Sequence, residues 1–77
     1  MPETVALAER LKKYRRDQEK NQFEMAGEMG ISIEEISLLE RAKTDPKLST
    51  LQKIAAHMGI TVSNLLEVEL EESEEGR

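Results

Sequence analysis

Apolar side chains recur at helical spacing in five short segments of the chain, and a residue able to cap a helix precedes each of them. The first segment follows Thr4 and carries Leu7, Leu11 and Tyr14 at positions i, i+4 and i+7. The later segments follow Asn21, Ser32, Ser49 and Thr61. Glycine comes directly after the second and fourth segments, which favours helix termination there. The pattern predicts an all-α fold of five helices, each of about two to three turns.

Three of the capping residues are followed, three positions later, by Glu or Gln, which is the pattern of a capping box. The pairs are Asn21 with Glu24, Ser32 with Glu35, and Ser49 with Gln52. Pro46 ends the third helix, because proline cannot continue it. We therefore expect helices to begin after these three residues.

Helices this short are not stable alone, so they must share one hydrophobic core. The predicted core consists of Leu7, Leu11, Tyr14, Met25, Ala26, Met29, Ile31, Ile36, Leu39, Leu48, Leu51, Ile54, Ala55, Ile60 and Leu65. The residues "GIS" alone connect the second and third helices. A connection of three residues that contains glycine makes two helices cross steeply, and this arrangement is the helix-turn-helix.

Three stretches, "LAERLKKYRRDQEKNQFEMAGEMGIS", "ISLLERAKTDP" and "LSTLQKIAAHMGITVSNLL", together resemble the phage-repressor-like helix-turn-helix regulators, the XRE family. The resemblance covers about residues 5–66 without a gap. It implies a five-helix repressor-like domain that binds duplex DNA as a homodimer, with helix three in the major groove. The implied function is sequence-specific transcription regulation, as a repressor that acts by occupying an operator.

The resemblance also implies which residues meet DNA. Those expected at backbone phosphates are Asn21, Gln22, Arg41, Lys43 and Lys47, to which the basic residues Arg10 and Lys12 of helix one are added. Those expected to face the bases are Ser32, Ile33, Glu34, Glu35 and Leu38. The basic residues of helix one have an alternative interpretation as a solvated helix face.

The base-facing set is unusual in its chemistry, because positions 33, 34, 35 and 38 include no Arg, Lys, Asn or Gln. Apolar Ile33 and Leu38 suit thymine methyl groups, and Glu34 could accept a hydrogen bond only from cytosine N4. Glu35 is expected to be engaged as the capping-box partner of Ser32. Two other interpretations remain open: Ile33 and Leu38 are isolated surface residues, or they form a protein-binding patch with Phe23.

An ion pair between Arg15 and Glu40 follows from spacing alone. Arg15 lies four residues after Leu11, and Glu40 four after Ile36, so each borders an apolar face. Two charges directed at one core are expected to pair, because an unpaired buried charge is costly. The resemblance supports the same pair, whose role would be to orient the helices. Two positions depart from the family pattern: Lys20 replaces a usual apolar residue, and Ala42 a frequent glycine.

The net charge of −5 lies entirely in residues 67–77, which contain six Glu and one Arg, so residues 1–66 are neutral overall. We therefore predict a helix-turn-helix domain at 1–66 and a disordered acidic tail at 67–77. Alternatively, Leu66, Val68 and Leu70 alternate with Glu and could form a short strand that pairs with its twin in a dimer.

Other classes of function are disfavoured by what the chain contains. It has no cysteine, and its one histidine, His57, has no Cys or second His near it, so no metal site or cofactor is expected. There is no Gly-rich phosphate loop and no nucleophile–base pair, so we do not expect an enzyme. We expect a cytoplasmic protein that does not span a membrane. The alternative to DNA binding is a protein-interaction module on the same scaffold, such as an antitoxin-like protein that binds a protein partner.

Overall fold

Five helices make up the part of the chain that the computed structural model describes, which is residues 2–66, with side chains from residue 5. They are α1 (Pro2–Asp17), α2 (Gln22–Met29), α3 (Ile33–Glu40), α4 (Leu48–Met58) and α5 (62–66). The described residues contain no strand, and the predicted all-α fold is confirmed. The predicted acidic tail, with its alternative strand, lies outside the described residues. No helix within 2–66 is long and apolar enough to cross a membrane.

Both ends of α2 have the predicted caps. The Asn21 side chain accepts a hydrogen bond from the backbone N–H of Glu24 at 2.7 Å, and the Glu24 carboxylate accepts one from the Asn21 N–H at 3.0 Å. This is a complete capping box. Gly30 ends the helix in the left-handed conformation, with φ of 78°, and its N–H donates to the Ala26 carbonyl. Glycine takes this conformation without the steric penalty of a side chain.

The starts of α1 and α4 differ from the prediction. Helix α1 begins at Pro2, two residues before Thr4, because proline is favoured in the first turn of a helix, where its missing N–H has no partner to lose. Helix α4 begins at Leu48 after an extended Lys47, and that N-cap has no side-chain hydrogen bond. Ser49 thus lies inside the first turn, and the predicted capping box with Gln52 was wrong.

The core matches the predicted set closely. Its buried members are Leu7, Ala8, Leu11, Met25, Ala26, Met29, Ile36, Leu39, Leu51, Ile54, Ala55 and Leu65. Tyr14, Ile31 and Ile60 pack against this cluster but are only partly buried. The prediction was wrong for Leu48, which is 63% exposed because it occupies the first position of α4, at the edge of the core. Ala8, at 3% exposed, was not predicted.

Helix α3 packs against both α1 and α2, and α2 also packs against α4. These contacts are made through the face of α3 that carries Ile36 and Leu39, which are 0% and 2% exposed. The opposite face of α3 is left at the surface. The fold therefore presents one side of α3 outward and holds the other side on the core.

Among the described residues 2–66, two residues other than glycine have a positive φ angle. They are Glu19, at 58°, in the connection between α1 and α2, and Ala42, at 56°, two residues after α3. The left-handed conformation costs a residue with a Cβ atom about 1 kcal/mol or more. At Ala42 this agrees with the frequent glycine that the XRE resemblance implies for that position.

Candidate nucleic-acid interface

The connection between α2 and α3 is short and held from both sides. The N–H groups of Gly30 and Ile31 both donate to the carbonyl of Ala26, at 2.9 and 3.0 Å. The Lys53 side chain of α4 donates to the Gly30 carbonyl at 3.2 Å. Ala26 itself is 2% exposed, and its small side chain allows the helices to approach closely. The two helices therefore form a helix-turn-helix with a fixed crossing.

The outer face of α3 carries most of the residues expected to face DNA bases. Ile33 is 46% exposed and Leu38 is 37% exposed, so this face presents two large apolar side chains at the surface. Ser32 and Glu34 are also exposed. Contact between these side chains and DNA bases stays a prediction. All four side chains are exposed to solvent, so a ligand could reach them.

Glu35 differs from its neighbours in the base-facing set. Its N–H donates to the Ser32 hydroxyl at 3.0 Å, so Ser32 caps α3 as predicted. Its carboxylate accepts a hydrogen bond from the Thr50 hydroxyl of α4 instead of returning to the Ser32 N–H, and the predicted reciprocal capping box was wrong. Thr50 is 4% exposed, and a buried hydroxyl requires a hydrogen-bond partner. Glu35 is thus half-buried and links α3 to α4.

Arg15 and Glu40 lie face to face between α1 and α3. Arg15 Nε donates to Glu40 Oε2 at 2.7 Å, and Nη2 donates to Oε1 at 2.9 Å. The two side chains are 14% and 3% exposed. The third nitrogen of the guanidinium, Nη1, donates to the Lys20 carbonyl at 3.0 Å. This bidentate geometry is the strong form of a carboxylate–arginine contact.

Gln22, the first residue of α2, completes this cluster by donating from Nε2 to Glu40 Oε1 at 3.0 Å. Burial opposes ionisation of Glu40, but the hydrogen bonds from Arg15 and Gln22 outweigh it, so the pKa of Glu40 lies below its ordinary value. Glu40 is the last residue of α3, so the cluster joins the end of α3 to α1 and to the start of α2. Gln22 thus braces the end of α3 through Glu40, while its phosphate contact stays a prediction.

The other residues expected at phosphates lie at different distances from α3. Lys47 lines a shallow groove that also includes Ser32, Glu34 and Leu38. Lys43 and Asn21 are exposed, and the Asn21 side-chain oxygen is occupied by the α2 cap. On α1, Lys12 pairs with Glu9 at 3.2 Å, and Arg10 is half-buried. Lys47 thus shares a groove with three of the residues expected to face the bases.

A larger open groove, of about 560 Å³, runs along the outer face of α3. Its lining residues are Gln22, Ile33, Glu34, Ser37, Leu38 and Arg41. Ser37 was not among the predicted site residues. It lies four residues after Ile33, and this helical spacing places the two side chains next to each other. We call this surface the α3 groove.

Comparison with known proteins agrees with this geometry. A family model described as helix-turn-helix matches residues 11–71, which is most of the chain. The chain belongs to the XRE-type helix-turn-helix family. The resemblance noted in the sequence is thereby confirmed. The match runs five residues beyond the predicted domain boundary at residue 66.

A relative from Deinococcus deserti, the HTH-type transcriptional regulator DdrOP3, is 44% identical over 63 residues. The alignment covers 82% of this chain and 49% of the relative, so the chain spans about half the length of that protein. Membership of the XRE-type family and this relative support DNA-binding transcription regulation, and nothing in the comparisons favours the protein-interaction alternative.

One cluster of polar residues lies apart from the α3 groove. Lys20, at a position usually apolar in the XRE-type family, contacts Glu28 at 2.5 Å, and Glu28 contacts His57 Nε2 at 2.9 Å. The Tyr14 hydroxyl lies 2.7 Å from His57 Nδ1 and donates to the His57 carbonyl at 2.9 Å. Hydrogen bonds from Lys20 and His57 hold the pKa of Glu28 below its ordinary value. This cluster ties α1 and α2 to α4 through His57.

Proposed function

We propose that this chain binds double-stranded DNA sequence-specifically and represses transcription by occupying an operator. Helix α3 lies in the major groove, with Ile33, Glu34 and Leu38 toward the base edges. Gln22 and Lys47 contact the flanking phosphates. The proposed site of action is the cytoplasm, and the mechanism requires no catalysis and no cofactor.

The observation that carries this proposal is the contrast between a fully anchored α3 and its uncovered outer face. The helix is fixed by Glu40 at its end, by Glu35 at its start and by Ile36 in the core. A helix fixed in this way can enter the major groove without losing further conformational freedom. Ile33 and Leu38 remain exposed at the surface where base edges would lie.

We also propose that the chain acts as a homodimer. Residues 1–66 have no net charge, so one domain attracts the DNA backbone only weakly. Two domains double both the phosphate contacts and the base contacts. A dimer with two-fold symmetry would bind a palindrome whose half-sites are about one helical turn, roughly 34 Å, apart.

A selection experiment tests the proposed function. The full chain is incubated with a library of randomised duplexes at 50 and at 150 mM salt, and the bound DNA is sequenced. We expect a palindromic sequence to be recovered, with affinity that falls as salt rises. With Arg10, Lys12, Lys43 and Lys47 each neutralising one phosphate, the slope of log K against log salt should be roughly −3 to −4 per subunit.

Two outcomes of the selection experiment would contradict the proposals. If no sequence is enriched at either salt concentration, the chain does not read DNA, and its exposed α3 face would have to serve a protein partner. A non-palindromic sequence bound by one subunit would retain DNA reading and contradict the proposed homodimer. Sedimentation of the DNA complex distinguishes one bound subunit from two.

A further inference from the structure

Arg41 directly follows α3, and its side chain turns back along the outer face of that helix. Its Nε donates to the backbone carbonyl of Ser37, one helical turn earlier, at 3.3 Å. Arg41 is exposed, and it lines the α3 groove together with Ile33 and Leu38. Its head group therefore lies beside the surface that would meet the base edges, and not beyond the end of the helix.

The charge of Arg41 is available for an external ligand. Of the residues that line the α3 groove, it is the one with a positive charge. Among residues 5–66, whose side chains the structure describes, it forms no salt bridge, whereas Arg15 is bound by Glu40 and Lys12 by Glu9. The hydrogen bond to Ser37 uses Nε alone. Because a guanidinium carries five N–H groups, the donors on Nη1 and Nη2 remain free.

A pair of free, parallel N–H donors suits two acceptors in DNA: a phosphate, or the O6 and N7 atoms of guanine in the major groove. The neighbours of Arg41 favour guanine. Ile33 and Leu38 are apolar and suit thymine methyl groups. The Glu34 carboxylate in the same groove would repel a phosphate, whereas a guanine edge carries no net charge. The contact with Ser37 also restricts the side chain before binding, which lowers the entropic cost of a specific contact.

We propose that Arg41 determines the sequence specificity of this protein by donating two hydrogen bonds to a guanine that lies beside the thymines facing Ile33 and Leu38. This inference rests on the proposed function and assigns Arg41 to base reading, where family resemblance had implied a phosphate contact. Arg41 then supplies a hydrogen-bond donor to a base edge, which the residues at positions 33, 34, 35 and 38 lack. Each half-site of the operator then contains a guanine next to thymine.

The test compares Arg41→Ala with Lys47→Ala, which removes a positive charge expected at a phosphate. The selected duplex and its single-base variants are titrated with each full-length protein, and affinities are measured by fluorescence anisotropy. Arg41 is exposed, so its removal should not unfold the domain, and thermal melting by circular dichroism checks this. Arg41→Gln is a second variant, because glutamine reads adenine in place of guanine.

We expect the unsubstituted protein to prefer guanine at one position of each half-site by roughly 5- to 150-fold. Arg41→Ala should abolish that preference and leave the other positions unchanged, and Arg41→Gln should shift it toward adenine. Lys47→Ala should weaken all duplexes by one common factor and reduce the salt slope by about one. If Arg41→Ala instead weakens all duplexes equally and keeps the preference, Arg41 contacts phosphate and the inference is wrong. That result would leave the proposed function intact, whereas failure of the unsubstituted protein to select any duplex would overturn both.

Discussion

The eight residues of α3 form two faces that differ in burial. One face packs on the core and the other lies at the surface. On the inner face, Ile36 and Leu39 are 0% and 2% exposed. Glu40 accepts hydrogen bonds from Arg15 and Gln22. On the outer face, Ile33 and Leu38 remain 46% and 37% exposed. Packing and hydrogen bonds therefore constrain the inner residues, whereas packing constrains the partly exposed outer residues less.

This difference shows where function can be separated from stability. Burial of a large aliphatic side chain contributes about 1.5 to 3 kcal/mol, and the outer face gives up much of that gain at two positions. The domain is stable through its inner contacts, so the outer face is free to match a ligand. Substitutions on the inner face should consequently lower the free energy of unfolding. Substitutions on the outer face should mainly lower DNA affinity.

The largest expected effect comes from truncating one aliphatic residue on each face. Ile36→Ala should lower the free energy of unfolding by roughly 2 to 5 kcal/mol, because it leaves a cavity in the core. Leu38→Ala should lower it by less than about 1 kcal/mol, because the side chain is partly exposed already. Urea denaturation followed by circular dichroism measures both values. Losses of equal size would show that the two faces do not differ as described.

The pair of Arg15 and Glu40 tests the polar part of the inner face. Arg15→Ala and Glu40→Ala should each cost about 3 kcal/mol, because each leaves the other charge buried without its partner. The double variant should lose less than the sum of the two, since the second truncation removes a charge that is already unpaired. Urea denaturation of the four proteins gives the coupling free energy. Additive losses would contradict a direct interaction.

The same proteins should differ in their response to acid. The folded-state pKa of Glu40 lies below its ordinary value of 4.5, so its ionised form stabilises the fold. That stabilisation is present at neutral pH and is lost as the pH falls below about 4.5. The double variant should therefore lose less stability between pH 6 and pH 3 than the unsubstituted protein. Some acid dependence should remain, because the pKa of Glu28 is lowered as well.

The contrast between the faces also explains how much could be predicted from the sequence. Helical periodicity and caps predicted the five helices, most of the core and the pairing of Arg15 with Glu40, because each leaves a local pattern. The partner of Glu35 could not be predicted, because Thr50 carries no charge and nothing in the spacing indicates that its hydroxyl is buried beside the start of α3.

On the outer face, helical periodicity predicts which side chains are exposed but not which ligand they bind. The direction of the Arg41 side chain was therefore missed. It depends on a contact with the Ser37 carbonyl, and residue type alone does not reveal that contact. The start of α4 was predicted two residues too late, because its N-cap, Lys47, makes no side-chain hydrogen bond and so has no capping pattern in the sequence.

The smallest expected effect concerns backbone strain at Ala42, two residues after the end of α3. Ala42 has a φ of 56°, a conformation that glycine adopts freely. Ala42→Gly should therefore raise the free energy of unfolding by about 0.5 to 1 kcal/mol, the relief of strain exceeding the entropy that glycine adds to the unfolded chain. Ala56→Gly, on the exposed side of α4, is the matched control and should lower stability by about the same amount. If both substitutions destabilise the protein equally in urea denaturation, Ala42 is not strained, and the exit from α3 is no more constrained than an ordinary helical position.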